Sequence, residues 1–216
     1  MSHITLVRHG QANTQARDEA SYDRLSDLGH RQAAWLGEHL RASGDHHPRV
    51  YCGTLRRQIE TAQAMNVGAA QNDPRLNELE YFTLAELMQD QHGVALPTER
   101  EGFITHLPQV FSAWHDGRLE GAPESFAAFE SRVTEALHDI AAGSGPGLVV
   151  TSGGLIAIAL RQVMQLNIAA TARLALAIMN TSMHRLFPIG EQLSPVLFNA
   201  VPHLDMPDRH FAQTHF

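Results

Sequence analysis

The chain has 216 residues and is 44% hydrophobic, so it can bury a full core, and its length fits one domain over 1–216 with an insertion better than two domains. Its 23 acidic and 16 basic side chains give a formal charge of −7 without a basic block, which argues against a general binder of nucleic acid or membrane surfaces. One cysteine, Cys52, excludes an internal disulfide, and the sequence carries neither a charged leader nor an apolar run of roughly 18 residues, so we expect a cytoplasmic protein.

The first half of the chain predicts two strands, each followed by a helix. Ile4–Val7 is an apolar run without polar alternation, typical of a strand buried on both faces. After a polar loop, Ser26-Asp27 can cap a helix that ends near Ser43-Gly44. Arg49–Cys52 predicts a second strand, and the helix after it is expected over Gly53–Gly68.

Residues 73–123 are less regular, with four prolines among amphipathic stretches. We interpret this segment as a helical insertion over the site. Its aromatic residues Phe103, Phe111 and Trp114 are expected to pack the insertion. A longer amphipathic helix is predicted from Glu124 to the glycine-rich turn at 143–147.

The last third of the chain predicts one more buried strand, one apolar helix and two final strands. These elements are expected at Leu148–Val150, Leu155–Met164, Met183–Phe187 and Pro195–Asn199. The complete order predicts an α/β three-layer sandwich with a mostly parallel central sheet flanked by helices.

Two polar segments follow buried strands of this predicted sheet. They are Arg8-His9-Gly10 and Ser152-Gly153-Gly154. Ligands of such sheets bind beyond the carboxyl ends of the strands. We therefore expect one crevice to hold both segments.

Two more segments carry residues suited to phosphate chemistry. Arg57 falls in the first turn of a predicted helix, where free amides favour anions and a guanidinium adds two-pronged binding. Glu78 is a carboxylate at the start of the insertion, and the glycines at 153 and 154 let backbone amides approach an anion closely. Taken singly, each residue has an ordinary structural interpretation, such as a surface arginine or a solvated acid. Their joint order along the chain indicates one phosphate site.

This order of motifs resembles the histidine phosphatase superfamily, the group that includes cofactor-dependent phosphoglycerate mutases and many small phosphatases. The resemblance covers nearly the whole chain and is carried by Leu6–Gly10, Leu25–Gly29 with Gln32-Ala33, Leu55–Ala62, Leu76–Glu78, Glu124-Ser125 with Arg132-Val133, and the apolar strand before Gly153-Gly154. It implies that His9 is the nucleophile that takes the phosphoryl group and that Arg8 and Arg57 clamp it. Glu78 matches the acid that protonates the leaving oxygen.

These roles are chemically consistent without a cofactor. A neutral imidazole can attack phosphorus, an acid can neutralise the departing alkoxide, and two guanidiniums can supply the positive charge that a metal would bring. The 14 histidines are scattered without ligand spacing, so no metal site is predicted. The expected partner is a small phosphorylated molecule, with no nucleic acid and no membrane, and the sequence makes no prediction of oligomeric state.

The sequence departs from the family pattern at Ser152. The pattern before the paired glycines is Ser-His-Gly-Gly, and its histidine hydrogen-bonds the transferring phosphoryl group, whereas this chain has Thr151-Ser152-Gly153-Gly154. Ser152 can donate one hydrogen bond but carries no charge. Removing a preorganised donor to a developing charge costs on the order of 10² to 10³ in rate, so we expect activity that is low, altered or absent.

Three functions fit this pattern. The first is a phosphomonoester hydrolase acting through a phosphohistidine, with Ser152 and the amides of Gly153 and Gly154 replacing part of the lost stabilisation. The second is a non-catalytic protein that binds a phosphorylated ligand, but a binder needs no nucleophile and acid together, and this chain keeps His9 and Glu78. The third is a phosphomutase, which ranks below hydrolysis because its phosphohistidine must survive until it returns the phosphoryl group.

Three further residues are candidate phosphate contacts. Gln11 and Asn13 follow the nucleophile closely, although loop polarity alone explains them. His203 lies in a C-terminal run where relatives that keep the second histidine also have a His-Leu pair, which favours a structural role. Cys52 is expected to be inert packing, since nothing near it in sequence lowers the pKa of a thiol.

Overall fold

A six-stranded sheet runs through the middle of the molecule. The computed structural model describes residues 1–215. Its strands are β1 (Ile4–Arg8), β2 (Arg49–Cys52), β3 (Ala70–Asn72), β4 (Gly147–Thr151), β5 (Met183–Ile189) and β6 (Gln192–Ala200). Its helices are α1 (Glu19–Tyr22), α2 (Asp27–Ala42), α3 (Arg56–Met65), α4 (Tyr81–His92), α5 (Arg100–His115), α6 (Phe126–Ala142), α7 (Gly153–Met164) and α8 (Ile168–Ala177). Short 3₁₀ helices lie at Pro74–Leu76 and His210–Ala212.

The strands lie in the order β3-β2-β4-β1-β5-β6. Strands β3, β2, β4 and β1 pair in parallel, whereas β5 is antiparallel to both β1 and β6. The predicted mostly parallel sheet is confirmed. The parallel register places Arg8 opposite Thr151, so β1 and β4 end at the same edge of the sheet.

Alternate side chains of the central strands pack against different helix layers. Leu6 and Val149 belong to the core shared with α4 to α8, and Val7 and Val150 belong to the core shared with α2 and α3. Every residue of β1 and β4 is buried, and each buried Val or Leu side chain contributes about 1.5–3 kcal/mol relative to exposure. The predicted three-layer sandwich is confirmed.

The segment 73–123 is helical and packs onto the sandwich. It holds the first 3₁₀ helix, α4 and α5, and α5 packs against α8. The buried Trp114 ring lies edge to face with Phe126 and Phe129, at centroid distances of 5.0 and 5.5 Å. Its indole N–H donates to the Glu124 carbonyl at 2.7 Å. Because α4 begins just after Glu80, the segment borders the predicted site.

The sequence patterns miss α1, β3 and α8 and misplace several element boundaries. Helix α1 has only four residues, β3 is a three-residue edge strand of largely polar composition, and α8 follows α7 after a connection too short to separate the two patterns. Helix α3 begins at Arg56 and not at Gly53-Thr54 as predicted, because Leu55 keeps an extended backbone as the N-cap residue. Helix α6 begins at Phe126 and not at Glu124 as predicted, because Ser125 is its N-cap residue and its hydroxyl accepts the Ala128 N–H.

Candidate active site

The carboxyl ends of β1 and β4 bring two predicted segments together. The His9 N–H donates to the Thr151 carbonyl across the strand pair at 2.8 Å. Ser152 has an extended backbone and is the N-cap residue of α7. His9 and the start of α7 therefore lie side by side at this edge of the sheet, as expected.

His9 is a buried imidazole, with 2% of its surface exposed. Its Nδ1 lies 2.7 Å from the Gly10 carbonyl, which can only accept, so Nδ1 carries the proton and Nε2 keeps its lone pair. Burial lowers the pKa of His9 well below 6.5, and the positive charges of Arg57 and Arg8 lower it further. The imidazole is therefore neutral at physiological pH, the state required for nucleophilic attack.

Arg57 comes from the first turn of α3 and is 2% exposed. Its Nη1 donates to Asp23 Oδ1 at 3.0 Å, and Asp23 also accepts the backbone N–H groups of Arg56 and Arg57. The guanidinium lies 4.9 Å from the ring centroid of Tyr22. Its Nε has no hydrogen-bond partner among the described residues. The guanidinium is thus held by Asp23 and Tyr22, and one of its donors is buried without a partner in the described residues.

Arg8 supplies the second buried guanidinium, with 6% exposure. Its Nη1 donates to the Ile178 carbonyl, while its Nε has no partner within the described part of the chain. A Cβ added at Gly153 would lie 3.4 Å from that Nε, so the start of α7 passes directly over the arginine. The expected approach of both glycine amides to an anion is wrong for Gly154, because its N–H already donates to Glu78.

Glu78 is held by the N-terminus of α7. Its Oε2 accepts the Gly154 N–H at 2.8 Å, and its Oε1 accepts the N–H groups of Leu155 and Leu79 at 3.0 and 3.1 Å. A Cβ at Gly154 would lie 2.5 Å from Oε1, closer than a side chain can tolerate. Gly154 is therefore needed for the carboxylate to reach the helix amides.

Ser152 is fully buried beside a glutamine that the sequence patterns did not single out. Gln58 Nε2 donates to Ser152 Oγ at 2.8 Å and to the Leu76 carbonyl at 3.2 Å. The Leu76 carbonyl can only accept, which fixes the orientation of the carboxamide. The Ser152 hydroxyl thus accepts from Gln58, and its own proton is available for another group.

A family model for the histidine phosphatase superfamily (branch 1) matches residues 4–201. The chain belongs to this superfamily. The matched range runs from β1 to just past β6 and contains all the site residues described above.

Solved structures of low sequence identity share the fold of this superfamily member. Phosphoserine phosphatase from Entamoeba histolytica in complex with 3-phosphoglyceric acid has a TM-score of 0.70 at 16% identity, covering 94% of this chain and 100% of that chain. A mutant of that enzyme in complex with phosphoserine gives 0.68 at 15%, with the same coverage. Mycobacterial glucosyl-3-phosphoglycerate phosphatase gives 0.65 at 22%, covering 93% and 99%. A search of curated protein sequences finds no significant match.

Three sequence candidates are engaged in hydrogen bonds away from the cradle formed by Arg8, His9 and Arg57. Gln11 Oε1 accepts from Ser26 Oγ at 2.8 Å, Asn13 Nδ2 donates to the Ser21 carbonyl at 2.9 Å, and His203 Nε2 lies 2.9 Å from Thr181 Oγ1. His203 also packs beside the ring of His39. Their roles as phosphate contacts stay predictions.

Glu19 is a carboxylate near the cradle that the sequence patterns missed. It lies on the four-residue helix α1, and its Oε1 accepts the Phe82 N–H at 2.8 Å. Burial raises the pKa of Glu19 to about 7, the Phe82 N–H and Arg57 oppose the shift, and the charges of Glu78 and Glu80 add to it. In sequence it is one of several polar residues in a loop, so only the fold reveals it.

Metal binding and membrane insertion would each require a specific arrangement of residues. No group of three or more histidine, cysteine, aspartate or glutamate side chains in the described residues is arranged to hold a metal ion. Within the same part of the chain, no helix combines the length and apolar character needed to cross a bilayer.

Stability should fall in mild acid because two other histidines are buried in their neutral form. Burial lowers the pKa of His184 and of His203 to about 3, with a smaller contribution from Arg8 at His184 and from His39 and Arg209 at His203. Unfolding lets each imidazole take a proton below pH 6.5, so the stabilisation is complete above that pH and is lost as the pH falls. Urea unfolding at pH 7.5 and 5.0 should differ by about 2 kcal/mol for each histidine.

The variant His184→Gln should reduce that pH-dependent loss by the same amount, whatever its effect at pH 7.5. His138→Gln, at an exposed position of α6, is the matched control and should leave the loss unchanged. An equal loss in the wild type and in His184→Gln would contradict the assignment.

The two glycines at the start of α7 should respond differently to alanine. Gly154→Ala pushes against Glu78 and should lower the free energy of unfolding by about 1–3 kcal/mol. Gly153→Ala makes the same change one residue earlier but meets Arg8 only at 3.4 Å, so its cost should stay under about 1 kcal/mol. Urea denaturation compares the free energies of unfolding of the two variants. Equal losses would show that the contact with Glu78 is not what requires glycine at position 154.

Proposed function

We propose that the chain is a phosphomonoester hydrolase that acts through a phosphohistidine formed on His9. The observation that carries the proposal is a buried, neutral imidazole beside two buried guanidiniums. Nε2 of His9 keeps its lone pair, and the Nε atoms of Arg8 and Arg57 lack partners among the described residues. A nucleophile with this surrounding charge suits a dianionic phosphoryl group.

The reaction has two steps. In the first, His9 Nε2 forms a bond to phosphorus while the bond from phosphorus to the leaving oxygen breaks, and Arg8 and Arg57 stabilise the charge on the equatorial oxygens. In the second, water attacks the phosphohistidine and gives a proton to the Glu78 carboxylate left by the first step, which releases phosphate and restores the neutral imidazole. The chain needs only proton transfers besides these two displacements.

Glu78 is the group assigned to proton delivery. The N–H groups of Leu79, Gly154 and Leu155 hold its carboxyl at the start of α7, next to the Gly153 N–H that would face the phosphate. A proton carried by this carboxyl replaces one of these hydrogen bonds and can pass to the leaving oxygen. This placement ties the acid to the same helix terminus that binds the anion.

Ser152 takes over part of the missing imidazole's role. Gln58 donates to its Oγ and leaves the hydroxyl proton free to donate to a phosphoryl oxygen. Both described partners of the Gln58 amide group are protein oxygens, so Gln58 acts through Ser152 and does not itself serve the phosphate. One neutral donor replaces a donor that can be charged, which suggests a slower reaction and not a different one.

The superfamily relatives support a small phosphorylated substrate. The Entamoeba histolytica enzyme is named a phosphoserine phosphatase and has been solved with phosphoserine and with 3-phosphoglyceric acid. The mycobacterial relative is named a glucosyl-3-phosphoglycerate phosphatase. The ligands of the first enzyme and the substrate in the name of the second are phosphate esters of small molecules.

A phosphate-binding protein without turnover is the second candidate. The serine at position 152 favours it, because the buried Ser152–Gln58 pair adds no positive charge to the cradle. The nucleophile's neutral state favours turnover, because a binder of dianionic phosphate gains more from a charged imidazole. A mutase has no specific observation in its favour.

Hydrolysis of a chromogenic phosphate ester should depend on His9. His9→Ala should lower kcat/KM by at least about 10³-fold, because no other group can form the covalent intermediate. His138→Ala, on the exposed face of α6, should match the wild type. When the reaction is quenched rapidly without acid, an ester radiolabelled in its phosphoryl group should leave label on the wild type and none on His9→Ala.

The hydrolase proposal fails if the wild type does not exceed buffer across a panel of esters and pH values. Calorimetry with inorganic phosphate then tests the binder: phosphate affinity that falls in an Arg57→Gln variant would support it, and no measurable binding would exclude it.

Removal of the Ser152 hydroxyl should slow the chemical step. Ser152→Ala deletes one preorganised donor and should lower kcat by about 10²-fold with a much smaller change in KM. Ser131→Ala removes an exposed hydroxyl on α6 and serves as control. An unchanged kcat in Ser152→Ala would assign the remaining stabilisation to the backbone amides and the arginines.

A further inference from the structure

The carboxyl of Glu19 lies at the border between the cradle and the start of the insertion. Helix α1 contacts α4, and the Phe82 N–H at the start of α4 holds Glu19 Oε1 at 2.8 Å. Tyr22 of the same short helix contacts the His9 ring edge to face, at a centroid distance of 6.2 Å. Helix α1 thus reaches from the nucleophile to the first helix of the insertion.

The charges that act on Glu19 come from the site itself. Arg57 on α3 attracts it, while Glu78 and Glu80, on the segment that leads into α4, repel it. The contact of Glu19 with α4 is the backbone N–H of Phe82. Asp18, the residue before Glu19, is an exposed carboxylate. Glu19 is therefore within electrostatic reach of both the clamp and the proposed acid.

The arginines indicate where the phosphoryl group lies relative to these acids. Arg8 and Arg57 are each more than nine-tenths buried, and each has an Nε without a partner in the described residues. With the phosphoryl group on those guanidiniums, the leaving group has to extend toward the proposed acid Glu78. The charges of Glu78 and Glu80 both raise the pKa of Glu19, so the three carboxylates lie within electrostatic reach of one another on that side.

We infer that Glu19 selects substrates by the charge of their leaving group, and that this site takes phosphomonoesters of uncharged or amine-bearing alcohols in preference to esters whose leaving group carries a carboxylate or a second phosphate. The inference rests on the proposed function and names its substrate class. A carboxylate near the leaving group repels a second anion and attracts an ammonium group. Arg57 is occupied by the phosphoryl group and cannot offset this effect for the rest of the substrate.

The selectivity should depend on pH in one direction. Burial raises the pKa of Glu19 to about 7, so the side chain is mostly ionised at pH 8.5 and mostly protonated at pH 6. Preference for an amine-bearing leaving group should be strong at the higher pH and weak at the lower. At any one pH the substrate phosphate is ionised to the same extent for variant and wild type, so its ionisation does not affect their comparison.

The experiment uses three esters of similar size. Phosphoethanolamine has an ammonium group on its leaving group, glycerol 1-phosphate has none, and phosphoglycolate has a carboxylate. At pH 8.5 the wild type should show kcat/KM in that descending order. Glu19→Gln, which keeps an oxygen for the Phe82 N–H, should lower the ratio of phosphoethanolamine to phosphoglycolate about tenfold, and at pH 6 the two proteins should converge.

Asp18→Asn is the matched control, since it removes a charge one residue earlier and asparagine still caps α1. It should change the ratio less than about twofold, because an exposed charge is screened. An equal ratio in Glu19→Gln and the wild type at pH 8.5 overturns the inference, and so does an equal shift in Asp18→Asn. If none of the three esters is turned over, the proposed function is contradicted but the inference is still tested. The ratio of phosphoethanolamine to phosphoglycolate is then taken from the dissociation constants of these esters, measured by calorimetry.

Discussion

The burial of two guanidiniums beside one imidazole is the constraint on which the rest of this site depends. A charged group removed from water is costly unless it is paired or hydrogen-bonded. Asp23 and the Ile178 carbonyl meet part of that need for Arg57 and Arg8, and each arginine keeps one buried donor without a partner among the described residues. An anion bound between them, as the proposed function requires, would add charge-assisted hydrogen bonds to these guanidiniums.

Three separate parts of the fold converge to meet this constraint. Strand β1 delivers Arg8 and His9, the first turn of α3 delivers Arg57, and the N-terminus of α7 holds Glu78 through its amides. Each of them sits where a strand or helix ends, so free backbone groups and side chains act together. Burial of the imidazole lowers the pKa of His9, and the positive charges of Arg57 and Arg8 lower it further, so the same convergence keeps the ring neutral.

Much of the fold is predictable from sequence because its signals are local. Buried strands such as Ile4–Arg8 are continuous apolar runs, and their ends mark the edge where the site lies. Contacts between distant segments carry no such signal. Gln58 looks like an ordinary helix residue until Ser152 is seen beside it, and Glu19 belongs to a polar loop until Phe82 fixes it. The short elements β3 and α1 are not predicted for a related reason, since three or four residues are too few to show a hydrophobic period.

The hydrogen bonds of Gln58 have a consequence for how this protein can change. One carboxamide on α3 links the strand end at Ser152 to the Leu76 carbonyl on the segment that leads to Glu78. Positions 58 and 152 share an interior hydrogen bond, so the effect of altering both is not the sum of the separate effects. A larger side chain at 152 needs the space that the carboxamide fills, and a smaller one at 58 leaves the hydroxyl without its donor. The two positions therefore form a single unit of variation, and each accepts a new residue only together with a matching change at the other.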